Sequence, residues 1–295
     1  MWTQVGPAGT LGGMEPAPVT PLDRSRRARG GPTGALPDEA AGDPQGVKSA
    51  ERSVRLLEML AASEHRPTLA ELHAASGIPK SSLHVLLRTL TRAGWVEQGA
   101  AGDGYGIGPR ALICGTAYLD RDPALPLGIE AIEQLRTEVG YSSHYGRLDG
   151  SNVLYLATRE ATAPARLVSR VGRVLPAHLT ALGLALLADR TEAEIDRVVP
   201  AVLTPLTPSS VVDRAQLSAA VARARADGFA VEREQNSTGI CCVARSVGFR
   251  IPATDSISCS LPLALATGEE VARVSAALER TADGLAAALR RAGVR

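Results

Sequence analysis

The stretch Lys80-Ser81-Ser82-Leu83-His84-Val85-Leu86-Leu87-Arg88-Thr89-Leu90-Thr91-Arg92 carries two chemistries at once. Projected on a helix at about 100° per residue, Leu83, Leu86, Leu87 and Leu90 fall on one side, and Ser81, Val85, Arg88 and Arg92 near the other. Lys80, Ser82 and His84 add an ammonium, a hydroxyl and an imidazole at the N-terminal end. Such donors suit phosphate oxygens and the base edges of a DNA major groove. In isolation a charged stripe of this kind is an ordinary solvated helix face, so its neighbours decide.

A second set of reactive groups lies in the C-terminal half. Cys242 with His144 or His178 makes a nucleophile and a base, with Glu232 to orient the histidine. The chain nevertheless has no G-x-S-x-G elbow, and its five histidines show no metal-ligand spacing. Its four cysteines form no C-x-x-C unit. Catalysis, a bound metal and a cofactor are therefore not expected. The milder alternatives are that Cys242 is a small buried hydrophobe and that Ser258 and Ser260 share one face of a strand.

The elements around the first stretch give it meaning. Val47, Ala50, Val54, Leu57 and Ala61 recur at helical spacing, which predicts a helix over 48–62. Thr68 and Glu71 have capping-box spacing before a short helix that Gly77 ends, and Pro79 suits the first position of a third helix. Segments 95–98 and 105–108 bracket a glycine-rich loop and read as a β-hairpin. Its glycines miss the dinucleotide-binding register. Three short-linked helices and a hairpin describe a winged helix-turn-helix, and that order favours DNA over a solvated face.

Helices are expected over 109–122 and 126–140. Beyond them strands (142–148, 151–159, 166–170, 229–235, 240–248, 255–261) mix with helices (178–189, 191–199, 213–227, 267–293) in an α+β domain. The organisation expected is a disordered tail over 1–46, a DNA-binding domain over 47–108, a linker helix over 109–123 and an effector-binding domain over 124–295. The tail contains Arg24-Ser25-Arg26-Arg27-Ala28-Arg29, which is assigned no site.

Bulk properties set limits. The chain has 32 basic and 31 acidic residues, a formal charge of +1, so a nucleic-acid partner must be argued from local placement. Aromatic residues make up only 3%, which disfavours single-strand stacking platforms and leaves duplex DNA open. No apolar run has membrane-spanning length and no export signal is visible, so a cytoplasmic protein without a membrane partner is expected.

The run Val47-Lys48-Ser49-Ala50-Glu51-Arg52, then Leu69-Ala70-Glu71-Leu72, Gly77 through His84, Gly94-Trp95-Val96 and Gly108-Pro109-Arg110 resembles the winged-helix domain of the IclR family of bacterial transcriptional regulators. Arg166-Leu167, Ser169-Arg170-Val171-Gly172, Pro176 through Gly183, Gly228 through Glu234 and Cys242-Val243-Ala244 are similar to that family's effector-binding domain. The likeness runs from about Val47 to the C-terminus. It implies a curved antiparallel, GAF-like sheet in the second domain, a DNA operator, a small-molecule effector, a homodimer or homotetramer, and a repressor's role.

On the same resemblance, Glu232, Cys242, Ser258 and Ser260 match positions that line the effector site, and Leu167 supplies an apolar wall. Thr180 and Ala181 lie early in a helix starting near His178, where free amides favour a carboxylate. Three departures stand out. Val85 replaces an arginine, Leu184 replaces a lysine, and the Asp-Gly hairpin expected before the last strand is missing around Phe249 to Thr254. Valine can meet a thymine methyl but cannot donate to guanine.

Overall fold

The computed structural model describes residues 46–100, 102, 104–161 and 171–294. The sequence-expected tail over 1–46 therefore lies, apart from Gly46, outside the described residues, as do the strand expected over 166–170 and Leu167.

Helix α1 (Lys48–Ala62) and α2 (Leu69–Ser76) have the expected bounds. Glu71 N donates to Thr68 Oγ1 at 3.3 Å and Thr68 N donates to Glu71 Oε2 at 2.7 Å, a complete capping box. Gly77, at φ 68, ends α2 in a left-handed conformation that costs a glycine nothing. The next helix, α3 (Lys80–Arg92), starts one residue later than expected. Pro79 sits outside it with an extended ψ of 137°, as its cap and not its first turn. Leu56, Leu60, Leu72, Ile78, Leu83, Leu87 and Val96 form the core of this unit. The wing pairs β1 (Val96–Gln98) with β2 (Tyr105–Ile107).

Helix α4 (Pro109–Asp120) has proline in its first turn and buries none of its residues. After α5 (Leu125–Val139) comes an antiparallel sheet of β3 (Ser142–Asp149), β4 (Asn152–Arg159), β5 (Val174–Pro176), β6 (Ala230–Arg233), β7 (Ile240–Ser246) and β8 (Asp255–Pro262). Their spatial order is β5-β4-β3-β8-β7-β6. The β3–β4 register shifts between Tyr145 and Gly146, which pair with Ala157 and Tyr155, so Leu156 is a bulge.

Alternation assigns the two faces of the sheet. Tyr145, Ala157, Cys241, Val243, Ile257, Cys259 and Leu261 share a core with residues of α5 and α9 (Gly268–Arg291). Val153, Tyr155, Leu175, Cys242 and Ala244 face α6 (Ala181–Ala188), α7 (Glu192–Val198) and α8 (Arg214–Asp227).

The sequence reading is corrected here in several places. Instead of one helix over 178–189, a 3-10 turn at Ala177–Leu179 is followed by extended Thr180 and then α6. Gly183 makes that break possible, because a Cβ there would lie 2.1 Å from the Ala177 carbonyl oxygen. Strand β5 has no counterpart in the sequence reading. Strand β6 stops at Arg233 because Glu234 turns to φ 57. Between β7 and β8 the chain runs through Val247 to Thr254 with a cis Ile251–Pro252 bond, where no Asp-Gly turn could be found.

Candidate functional site

The outward face of α3 is the first candidate. Leu83 and Leu87 are buried, Leu86 and Leu90 half-buried, whereas Lys80, Ser81, His84, Val85, Arg88 and Arg92 are exposed. Ser82 is half-buried. Val85 presents an apolar patch, 50% exposed, between the polar side chains. The leucine stripe fixes the rotation of α3 about its axis, and the exposed donors follow from it. No acidic residue lies within α3. The wing beside it is held by an ion pair from Arg66 to Glu97 and by Tyr105 N donating to Pro67 O at 3.0 Å.

The second candidate lies on the α6-facing side of the sheet. Register places Glu232 opposite Cys242, Cys242 opposite Ser260, and Ser260 opposite Ser142, so one polar row crosses four strands. Cys242 Sγ and Ser260 Oγ are 3.3 Å apart, and Ser260 Oγ is 3.0 Å from His144 Nε2. The other imidazole nitrogen is 3.1 Å from Thr158 Oγ1. Ser258 pairs with His144 and Ala244 in the adjoining row. Tyr155 meets the His144 ring edge-on at 5.6 Å.

Glu232 accepts from Gln235 N at 3.0 Å and from Asn236 Nδ2 at 2.7 Å. The same Asn236 amide reaches Leu179 O at 3.3 Å, which ties the turn before α6 to this end of the row. Thr180 Oγ1 accepts from Gly183 N at 3.0 Å. The Ala181 and Leu182 amides, ahead of it in the first turn, have no protein acceptor among the described residues. Leu184, at the lysine position, is buried against the core of this face.

Burial works against charge along the row. Burial raises the Glu232 carboxyl to about 7 despite its amide donors. Burial and the nearby Arg173 charge lower the His144 imidazole to about 4. Burial, with Glu232 adding, raises the Cys242 thiol well above its usual value. A thiol held protonated beside a neutral imidazole is a hydrogen-bonding wall, not a nucleophile. His178 is buried with no hydrogen bond to either ring nitrogen among the described residues, and it bonds to neither Cys242 nor Glu232.

Of the sequence-assigned residues, Glu232, Cys242, Ser258 and Ser260 thus share one face, with Thr180 and Ala181 on the turn that Asn236 ties to it. Tyr155 and Asn236 belong to the same cluster and were not assigned to it from sequence, and His144 was set beside Cys242 there only as a candidate catalytic base. The alternation Ser142, His144, Gly146 was available as a signal for His144. Nothing local marks Tyr155 or Asn236.

A winged helix with an exposed donor face, joined to a domain whose sheet carries a buried polar cluster, defines a ligand-responsive DNA-binding regulator. Residues 49–100 match the IclR helix-turn-helix domain, and residues 118–287 match the C-terminal domain of the bacterial transcriptional regulator IclR. The chain belongs to the IclR family of DNA-binding transcriptional regulators.

The chain is 30% identical over 206 residues to the glycerol operon regulatory protein of Streptomyces coelicolor, covering 68% of this chain and 79% of that one. It is 27% identical over 241 residues to the transcriptional repressor IclR of Escherichia coli, covering 80% and 88%. Among solved structures, an IclR-type regulator from Alicyclobacillus acidocaldarius superposes with a TM-score of 0.71 at 25% identity, covering 82% of this chain and 98% of that one. An IclR homolog from Microbacterium hydrocarbonoxydans, complexed with 4-hydroxybenzoate, superposes at 0.68 with 22% identity and coverage of 82% and 99%. The relatives are regulators, not enzymes.

Proposed function

We propose that this protein is a repressor whose operator affinity is set by a small hydroxylated or aromatic acid bound on the α6-facing side of the sheet. The single observation that carries the reading is the buried polar row Glu232–Cys242–Ser260 with His144, which crosses the sheet on its α6-facing side. In this reading α3 enters the major groove, with Lys80, Ser81, Ser82, His84, Val85, Arg88 and Arg92 facing DNA. Thr180, Ala181, Glu232, Cys242, Ser258 and Ser260 surround the effector, with Leu167 as a further wall. The 4-hydroxybenzoate held by the Microbacterium relative is an example of the ligand class.

The functional units are 47–108 for DNA, 109–123 as linker and 124–295 for the effector. One winged helix reads only a few base pairs, so a homodimer or homotetramer on a near-palindrome is the working form, in the cytoplasm where the operator is. No helix among the described residues is long and apolar enough to cross a membrane.

The test is to measure binding to the intergenic DNA flanking the gene, with and without a panel of small acids, alongside thermal stabilisation and ester hydrolysis. Saturable, sequence-selective binding that an acid shifts, without hydrolysis, is expected. Ester turnover that Cys242→Ala abolishes, or DNA binding equal on unrelated sequence, would overturn the reading.

A further inference from the structure

One charged residue beside the sheet, Arg173, takes no part in the polar row or in the ion pairs of the strands among the described residues. Arg173 precedes β5 by one residue, and its carbonyl accepts from Tyr155 N at 2.9 Å. Leu175, two residues on, pairs with Val153 and packs on the α6-facing side, so alternation turns Arg173 to that side too, beside Tyr155. The Arg173 side chain is half-buried, and it has no hydrogen bond and no carboxylate partner among the described residues. Eleven ion pairs are formed elsewhere among the described residues, by Arg136, Arg147, Arg159, Arg245 and others, so an arginine facing a buried cluster without an anion is distinctive.

Its charge reaches the cluster. The Arg173 guanidinium acts to lower both the His144 imidazole and the Tyr155 phenol. Tyr155, which Arg173 neighbours across the β4–β5 pairing, also meets the His144 ring edge-on at 5.6 Å.

The geometry points to Arg173 as the anion anchor of the effector site, taking the carboxylate of a ligand whose neutral, hydrogen-bonding end lies toward Glu232 and Cys242. This inference rests on the effector-site reading above and goes beyond it by fixing the ligand's charge and polarity. A guanidinium presents paired N–H donors to a carboxylate, which a lysine does not reproduce. A group buried at Glu232 favours a hydroxyl there and disfavours a second carboxylate. A monocarboxylate with a distal hydroxyl fits this order of charges, and a dicarboxylate does not.

The experiment uses benzoate, 4-hydroxybenzoate and the neutral 4-hydroxybenzamide as probes on the full-length protein labelled with carbon-13 at histidine. The His144 ring resonance, assigned with a His144→Gln variant, reports occupancy. Saturable shifts with the two carboxylates, weakened at least tenfold in Arg173→Gln and partly restored in Arg173→Lys, are expected, with no saturation by the amide. Unliganded operator affinity and melting temperature of Arg173→Gln serve as the folding control. Equal carboxylate affinity in wild type and Arg173→Gln, saturation by the amide to the same degree, or no saturable response to either acid overturns the inference. A Cys242→Leu, Ser260→Val double variant separates it from the underlying reading. Carboxylate binding lost there but kept in Arg173→Gln sinks only the role of Arg173, whereas binding kept in both sinks the site itself.

Discussion

Arg147 Nε and Nη2 donate to the two carboxylate oxygens of Asp255 at 2.8 and 2.7 Å, in a fork between β3 and β8. A third donor of the same guanidinium binds Asp122, in the turn between α4 and α5, and Tyr145 donates its hydroxyl to Asp255. Asp255 is fully buried, and Asp122 nearly so. The linker that follows the winged helix is therefore tied to the sheet that carries the polar row, one residue from Ser256, whose hydroxyl bonds Leu182 O in α6 at 3.2 Å.

Removing the cation leaves two buried carboxylates uncompensated. Arg147→Met should lose on the order of 3–5 kcal/mol of stability, measured by urea unfolding. The milder Asp122→Asn should keep effector affinity and reduce the effector's shift in operator affinity, a coupling energy of typically about 1–3 kcal/mol. An undiminished shift in Asp122→Asn would show that the tie transmits nothing.

On α3, base contact and folding should separate cleanly. Arg88→Ala should weaken operator binding by about 1–3 kcal/mol without lowering the melting temperature. Leu87→Ala, in the core with Leu56 and Leu72, should cost roughly 2–5 kcal/mol of stability. Fluorescence anisotropy on operator DNA and thermal unfolding check the two arms, and unchanged operator affinity in Arg88→Ala counts against this docking.

Glu232 makes both folding and ligand binding depend on pH. Its folded carboxyl titrates at about 7, above the usual 4.5, so the native state holds more protons than the unfolded state between those values. Its contribution to stability is favourable at low pH and is lost as pH rises through 7. Glu232→Gln should remove that dependence. An anionic ligand should likewise bind wild type more weakly as pH rises from 6 to 8, and bind Glu232→Gln with a flatter profile. Calorimetric titrations across that range decide it, and parallel profiles for the two proteins would refute the assignment.

Leu112, Ile113 and Tyr118 on α4 are 69%, 60% and 51% exposed, which suits the helix to packing against a second copy. Leu112→Asp with Ile113→Lys should lower the oligomeric mass in light scattering and weaken operator binding together. A monomeric wild-type protein that binds one half-site tightly would contradict this.

How much could be read from sequence follows the range of the interactions. The capping box of Thr68 and Glu71 and the leucine stripe of α3 are set within a few residues, and both stand where the spacing put them. The polar row was legible only as separate residues, because its continuity depends on pairing between β6, β7, β8 and β3. Strand β5 is three residues long and is made by its partner β4, so no periodicity announces it. Thr180 was expected inside a helix, and the close approach of Gly183 to Ala177 moved it outside. Arg173 follows no sequence pattern: its place in the proposed site rests on its position beside Tyr155 and on its having no carboxylate partner among the described residues.

The bulge at Leu156 changes the phase of β4. Before it, odd-numbered residues such as Val153 and Tyr155 face α6. After it, Thr158 does, opposite His144, while Leu156 and Ala157 both turn to the other core. Two side chains three positions apart thus frame one imidazole, which a regular strand would set on opposite faces. A relative that had lost only Leu156 would keep Thr158 opposite His144 and Tyr155 opposite Gly146 in a regular strand, and would lose one side chain from the core shared with α5 and α9. A one-residue deletion at the bulge is therefore absorbed by the opposite core, and the chemistry around His144 survives it.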